Sequence, residues 1–291
     1  MRIMVTGWFS FEHGEATAGD LAAAEWVHEW LDRADVAHDI AYSSAFNPEI
    51  HLDAVDPGDY SHVVFVCGPA AGRQIEDLLT RFSHCAKIAV GVSVVDGTAE
   101  AFDTVLPRDD DETVTPDLAL GAPERHLPPV VALVRAHAQP EYPTARPDDV
   151  HNRIEGLLAQ RDVAVVPLDT RVDPRELVNR DTTHVEAVLA RADAVVTTRL
   201  HGLVLALRHG VPAVAIDPVS GGGKVIRQVS VLDWPLASTV DQLTDEEFHR
   251  LLDECLRPSS RAAADRSAKR GRSGLEGLGE DLLAVLNQAA M

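Results

Sequence analysis

Residues 194–203 read Ala-Val-Val-Thr-Thr-Arg-Leu-His-Gly-Leu, an apolar strand pattern running straight into a helical one. Two residues at the junction can do chemistry. Arg199 offers a permanent cation with a planar fork of donors, suited to a phosphate or a carboxylate. His201 offers an imidazole that exchanges a proton near neutrality. A cation at a helix start opposes the macrodipole, so Arg199 serves stability poorly and an anionic ligand well. Leu200, Leu203, Val204 and Leu207 carry the i, i+3, i+4, i+7 spacing of a core stripe, and Arg199 and His201 lie outside it. Residues two apart point to different sides of a helix. The pair can therefore share a ligand only if Arg199 sits at the helix edge or the ligand caps the end. Thr198 is the expected N-cap and Gly210 the expected stop. The plainer alternative is a partly exposed arginine beside a satisfied histidine.

Other segments are weaker. Gly221-Gly222-Gly223-Lys224 could cradle a phosphate, but it lacks the full spacing of a P-loop and the hydroxyl residue after its lysine, so a flexible loop competes equally. The run Asp109-Asp110-Asp111-Glu112 reads as a solvated loop before it reads as a cation site. The thirteen histidines show no metal-ligand spacing, and no metal is expected. Trp8, Phe9 and Phe11 follow the first strand, where they form either a sugar platform or core. Cys67, Cys85 and Cys255 are too few and too scattered for a disulfide framework or a cysteine zinc site.

Positioning these residues takes alternating strands and helices. Strands are predicted over 2–6, 36–41, 62–67, 87–92 and 102–106, with helices over 18–33 and 73–83. Thr17 and Asp20 form a capping box for the first helix. After the turn-rich Gly121-Ala122-Pro123, strands recur at 130–134, 163–167, 194–197 and 213–216, and helices at 149–160, 183–191, 199–209 and 224–232. Thr244 and Glu247 open another helix, which ends before Pro258. The stretch 258–274 reads as a flexible polar connector or an exposed helix, and 275–290 carries an amphipathic helix whose leucine stripe is expected on the first domain. The class is α/β, with two doubly wound Rossmann-like domains at 1–122 and 123–257 and a returning tail at 258–291.

Composition excludes several functions. The chain has 291 residues, 26 basic against 46 acidic, for a net charge of −20. Nucleic acid and anionic membrane surfaces both need clustered Lys and Arg, so neither is an expected partner. The charge is uneven: residues 1–125 hold 23 acidic and 7 basic side chains, while 126–291 hold 23 and 19. An anionic small molecule meets less repulsion on the second half. No apolar run reaches the length of a membrane span, and the first residues read as a strand rather than a leader, so a cytoplasmic location is expected.

The Arg-Leu-His-Gly-Leu run, followed by Gly-Val-Pro-Ala-Val-Ala-Ile-Asp and a lysine, resembles the polysaccharide pyruvyl transferase family. Arg108-Asp109-Asp110, Thr115-Pro116-Asp117-Leu118-Ala119-Leu120 and the strand ending in Arg135 are similar to further family segments. The resemblance implies a glycosyltransferase-B-like fold with two domains facing a cleft. It also implies transfer of pyruvate from phosphoenolpyruvate to two sugar hydroxyls as a ketal, in polysaccharide and cell-envelope biosynthesis, with no cofactor. By the same resemblance Arg199 and His201 are the active-site pair, Arg135 is a further anion contact and the Leu200 backbone assists. Lys224 matches more loosely, and Asp20 stands where the family's first loop ends in Gly-Asp. The path from Gly7 to Asp20 is longer and poorer in glycine than the family's, and Cys67-Gly68-Pro69-Ala70-Ala71-Gly72 replaces its triple glycine. Expected partners are an anionic donor and a glycan-like acceptor; the sequence leaves the oligomeric state open. A nucleotide-sugar glycosyltransferase and a non-catalytic anion- or glycan-binding relative are the alternatives.

Overall fold

In the computed structural model the described residues are 1–47, 50–95, 97–112, 114–137 and 147–289. They divide into two units, Met1–Arg125 and His126–Met291. The structural division thus falls three residues beyond the expected one, and 258–291 is part of the second unit rather than a separate tail.

The first apolar run, Ile3–Gly7, is wholly buried and forms β1. After it come α1 (Ala18–Arg33), β2 (His38–Ile40), β3 (His62–Val66), α2 (Arg73–Arg81), β4 (Ala86–Ser93) and β5 (Thr104–Asp109). All five strands are parallel, in the order β2-β1-β3-β4-β5. The capping box opening α1 has both halves: Asp20 N–H donates to Thr17 Oγ1, and Thr17 N–H donates to Asp20 Oδ2 at 2.9 Å. β5 begins two residues later than its apolar run, because Phe102 is a buried core residue ahead of the strand.

The second unit holds β6 (Val130–Val134), α3 (Pro147–Leu158), β7 (Ala164–Leu168), α4 (Thr182–Leu189), β8 (Ala194–Thr197), α5 (Leu200–Arg208), β9 (Ala213–Asp217), α6 (Lys224–Leu232), β10 (Ala237–Thr239), α7 (Asp245–Cys255) and α8 (Pro258–Ala289). Its sheet is also all parallel, in the order β10-β9-β8-β6-β7. Counted from its own first strand, each sheet has the doubly wound order 2-1-3-4-5. In such a sheet the chain reverses winding direction beside the first strand, and ligands bind outside the carboxyl ends at that point. In the second unit the reversal lies between β6 and β8. The short edge strand β10 is absent from the sequence reading. At α7 only half of the expected box forms: Thr244 accepts from Glu247 N–H at 3.1 Å, while the Glu247 carboxylate turns to Arg250.

Of the two readings of 258–274 the helix is the one observed, since α8 runs unbroken through it, but one face of it is buried rather than exposed. Ser260, Ala264, Ser267 and Ala268 are buried along one stripe, and α8 packs on α5 and α6 of its own unit. Small residues let helix backbones approach closely without any leucine, which is why composition concealed this face. Arg261, Arg270 and Arg272 anchor it by donating to the carbonyls of Ala192, Val231 and Arg208. Leu275, Leu278, Leu282 and Leu286 are exposed, whereas the sequence reading gave them the first domain as partner. Ala290, the expected last residue of this helix, lies outside the described residues.

Candidate functional site

The start of α5 differs from expectation by one residue, and the difference matters. Arg199, not Thr198, is the N-cap residue, with extended backbone (φ −116°, ψ 134°) and no capping bond from its side chain. Thr198 instead turns toward β6, where its Oγ1 accepts from Ala136 N–H at 2.8 Å. Thr197 Oγ1 accepts from Arg199 N–H and donates to Arg199 C=O, both at 3.0 Å. The Thr197 hydroxyl thus fixes the backbone of Arg199 through both its N–H and its C=O, and the guanidinium stays uncommitted to the helix. The far end of α5 closes as expected. Gly210 N–H donates to Leu207 C=O at 2.9 Å, and Val211 N–H donates to Ala206 C=O at 3.0 Å, a Schellman pattern with Gly210 in left-handed conformation.

Register brings the strand ends level. Val134 pairs with both Leu168 and Thr197, so Arg135, Asp169 and Thr198 leave β6, β7 and β8 side by side. Asp169 is the hub. Its carboxylate accepts from His137 Nε2 at 2.9 Å, Arg171 Nε at 2.7 Å and Arg171 N–H at 2.9 Å, and Arg199 Nη1 stands 3.7 Å away. Burial alone would raise the Asp169 carboxyl; the Arg171 and His137 donors outweigh it and hold the group below the usual carboxylate range. Two polar atoms at these strand ends are buried and take no hydrogen bond among the described residues, Arg135 Nε and Thr170 Oγ1. Orphaned buried donors are rare in folded proteins and point to a missing acceptor. Among the described residues the Arg135 guanidinium pairs with Asp148, at 3.8 Å.

His201 takes a different neighbourhood. It is exposed in the first turn of α5 and lines a groove of about 560 Å³ between α5, α6 and α8, together with Leu200, Val204, Gln228 and Arg272. Arg199 faces the strand ends while His201 faces this groove. A single ligand meets both only across the N-terminal end of α5.

Lys224 opens α6, but the glycine loop before it is no phosphate cradle. The buried Asp217 carboxylate already accepts from Val219, Gly223 and Ile226 N–H at 3.0, 2.7 and 3.0 Å. Asp241 takes Gly221 N–H at 2.7 Å. The chain supplies its own anion where a phosphate would lie. Asp217→Ala leaves three amides without that acceptor and is expected to destabilise the protein by roughly 1–3 kcal/mol, read as a lower urea midpoint.

In the first unit Asp20 is buried, and its Oδ2 accepts from both the N–H and the hydroxyl of Thr17, the latter at 2.7 Å. It also faces Cys67, whose thiol burial pushes up to about 11. Asp20 is thus a capping carboxylate built into the α1 start. The corresponding crevice between β1 and β3 is filled from within: Trp8 lies against Gly68, and its indole N–H donates to Pro69 C=O at 3.2 Å. Phe9 is fully buried, and Trp8 and Phe11 pack edge-to-face on each other and on the core. These aromatics are core, not a platform. Arg108 ties together two of the segments singled out in the sequence, pairing with Asp109 at 2.6 Å and Asp117 at 2.8 Å. Asp110 accepts from Glu112 N–H within the acidic run.

The strand-end cluster lies in the part of the chain that a family model matches. Residues 113–220 match the polysaccharide pyruvyl transferase family. The matched segment contains Arg135, Asp169, Arg199, Leu200 and His201, and excludes Asp20 and Lys224. No curated protein matches the chain. Among solved structures it is similar to the forosaminyltransferase SpnP of spinosyn (12% identity, 97% of this chain and 99% of that one, TM-score 0.36). It is also similar to E. coli heptosyltransferase WaaC with ADP (12%, 88% and 100%, 0.29) and to Acinetobacter baumannii MurG (11%, 92% and 94%, 0.32). At these scores the likenesses bear on neither substrate nor mechanism.

Sequence reasoning missed His137, Asp169, Thr170 and Arg171. Each lies within four residues of the end of a predicted parallel strand, where side chains border the ligand crevice, but only the register of those strands brings them together.

Proposed function

We propose that this chain is a glycan-modifying transferase of the pyruvyl type, using phosphoenolpyruvate and a glycan-like diol. The observation that carries the reading is the orphaned donor Arg135 Nε after β6, which together with Arg199 after β8 flanks the winding reversal of the second unit; Thr170 Oγ1, a second orphaned atom, follows the neighbouring β7. A donor bearing both a phosphate and a carboxylate suits cations distributed around one helix end. In this reading Arg135 and Arg199 hold those anionic groups, and the first amides of α5, beginning at Leu200, add their dipoles. His201 delivers a proton to the methylene carbon while one acceptor hydroxyl attacks the adjacent carbon. Phosphate then leaves, and the second hydroxyl closes the ketal, so that one donor and one diol give one ketal and one phosphate. Lys224 keeps a supporting electrostatic place at the α6 start, Asp20 a structural one. No helix among the described residues is long and apolar enough to cross a membrane, and a cytoplasmic location goes with this reading.

The test is to incubate the protein with phosphoenolpyruvate and a panel of sugars and follow phosphorus by NMR. Free phosphate that appears only when an acceptor is present supports the reading. Nucleotide release from a sugar nucleotide, or donor binding without turnover across the panel, overturns it in favour of a glycosyltransferase or a binding protein. Arg135→Gln removes a charge-assisted contact worth about 1.5–3 kcal/mol. Phosphoenolpyruvate should then bind roughly ten- to a hundredfold more weakly by calorimetry, and the deficit should shrink as salt screens the wild-type contact.

A further inference from the structure

We propose that His28, Asp32 and His38 of the first unit bind a divalent transition-metal ion, zinc in the first instance. The site is independent of the strand-end cluster. His28 and Asp32 are four apart on the last turns of α1 and share a face. The chain then reverses through Asp35, whose φ of 52° is left-handed, and His38 opens the edge strand β2. One ligand-capable atom from each residue lies within 4.8 Å of the others, which no other group of His, Cys, Asp and Glu achieves among the described residues.

Proton placement is what singles this cluster out. The His38 side chain is only 5% exposed. Its Nδ1 stands 2.8 Å from Val36 C=O. A carbonyl can only accept, so Nδ1 carries the proton and Nε2 presents a lone pair. That Nε2 lies 2.6 Å from His28 Nδ1 and 3.9 Å from Asp32 Oδ1. If His28 is neutral it must donate from Nδ1, which leaves its Nε2 lone pair facing Asp32 Oδ2 at 3.5 Å, acceptor against acceptor. A metal removes the conflict. It takes the lone pairs of His28 Nδ1 and His38 Nε2 and one Asp32 oxygen, and the His28 proton moves to Nε2, opposite the carboxylate. The His38–Val36 bond is then the outer contact that a metal-bound imidazole usually makes. Tetrahedral zinc with bonds of 2.0–2.1 Å sets its ligand atoms about 3.3 Å apart, a value between the distances observed. Half-exposed His28 and exposed Asp32 can turn to meet it. Three protein ligands leave a fourth position for water, and the ion would tie the end of α1 to β2.

Full-length protein stripped with chelator and titrated with zinc chloride, by calorimetry and native mass spectrometry, tests this. The wild type should take up one zinc per chain and melt at a higher temperature with zinc. His28→Ala and Asp32→Asn should melt like the wild type in chelator, yet bind zinc at least roughly tenfold more weakly, since even outer contacts are worth 10–100-fold. Absence of stoichiometric uptake would overturn the proposal. Undiminished uptake by both variants would overturn it too, by moving the zinc to other histidines.

Discussion

His201→Ala is expected to slow phosphate release from phosphoenolpyruvate by roughly 10²–10⁴, with donor binding largely intact. The separation of the two site residues predicts this split. Arg199 addresses the strand ends, where the orphaned Arg135 donor lies; His201 addresses the groove beside α5, and its imidazole forms no hydrogen bond among the described residues. Loss of a proton donor falls on the transition state, whereas loss of an anion contact falls on the ground state as well. Because His201 is exposed, its truncation should leave the melting temperature unchanged, so a rate effect is not a folding effect. His201→Asn keeps some hydrogen bonding but cannot shuttle a proton near neutrality and should be as slow as alanine. Arg199→Lys keeps the charge, loses the planar fork and should harm donor binding. Near-normal turnover by stable His201→Ala protein would return the histidine to a surface role.

The largest stability effect is expected at Gly202→Ala. A Cβ there would lie 2.2 Å from Thr197 Oγ1 and 2.9 Å from Val134 Cγ1, against two buried strands. Alanine favours a helix over glycine by about 1 kcal/mol. Overpacking a tight core costs about 1–3 kcal/mol, and displacing Thr197 threatens both of its bonds to the Arg199 backbone, each worth about 0.5–1.5 kcal/mol. The clash wins. The variant should melt lower, by roughly 2–4 °C for each kcal/mol lost, and should bind phosphoenolpyruvate more weakly even when folded, because α5 carries Arg199 with it. Wild-type stability and binding would show that α5 can ride away from β8 without consequence.

Much of this architecture was legible, and the exceptions have identifiable causes. The strands at 130–134 and 194–197 announce themselves by unbroken apolar runs, since a strand covered on both faces needs no polar alternation. β10 was illegible because three residues, Ala237–Thr239, are too few to show a period. The buried face of the first half of α8 was illegible because it is serine and alanine. At the candidate site, Arg199 and His201 stand out in the sequence by type and flanks, and Arg135 through the family resemblance. Asp169 and Thr170 do not, because their significance lies in register: only the pairing of Val134 with Leu168 sets them beside Arg135. The Gly221–Lys224 loop misled for a related reason. Its composition matches an anion cradle, and the anion it cradles is the chain's own Asp217.

Each unit is built from one continuous stretch of chain, with no strand exchanged between the two sheets. During synthesis the first unit can therefore complete its fold before the second sheet exists. Within each unit the strand made first, β1 or β6, ends up flanked on both sides by later ones. Such a strand must stay open at both edges until a helix and a further strand have been added on either side. All-parallel pairing offers no hairpin to shorten that wait, since every strand pair requires a crossover, and contacts so distant in sequence form slowly. The wait is longest to matter in the second unit, where β6 is Val-Val-Ala-Leu-Val, an uncharged segment well suited to pairing with another chain. Aggregation during refolding should thus begin there, and brief dilution at low protein concentration should favour recovery of the native chain.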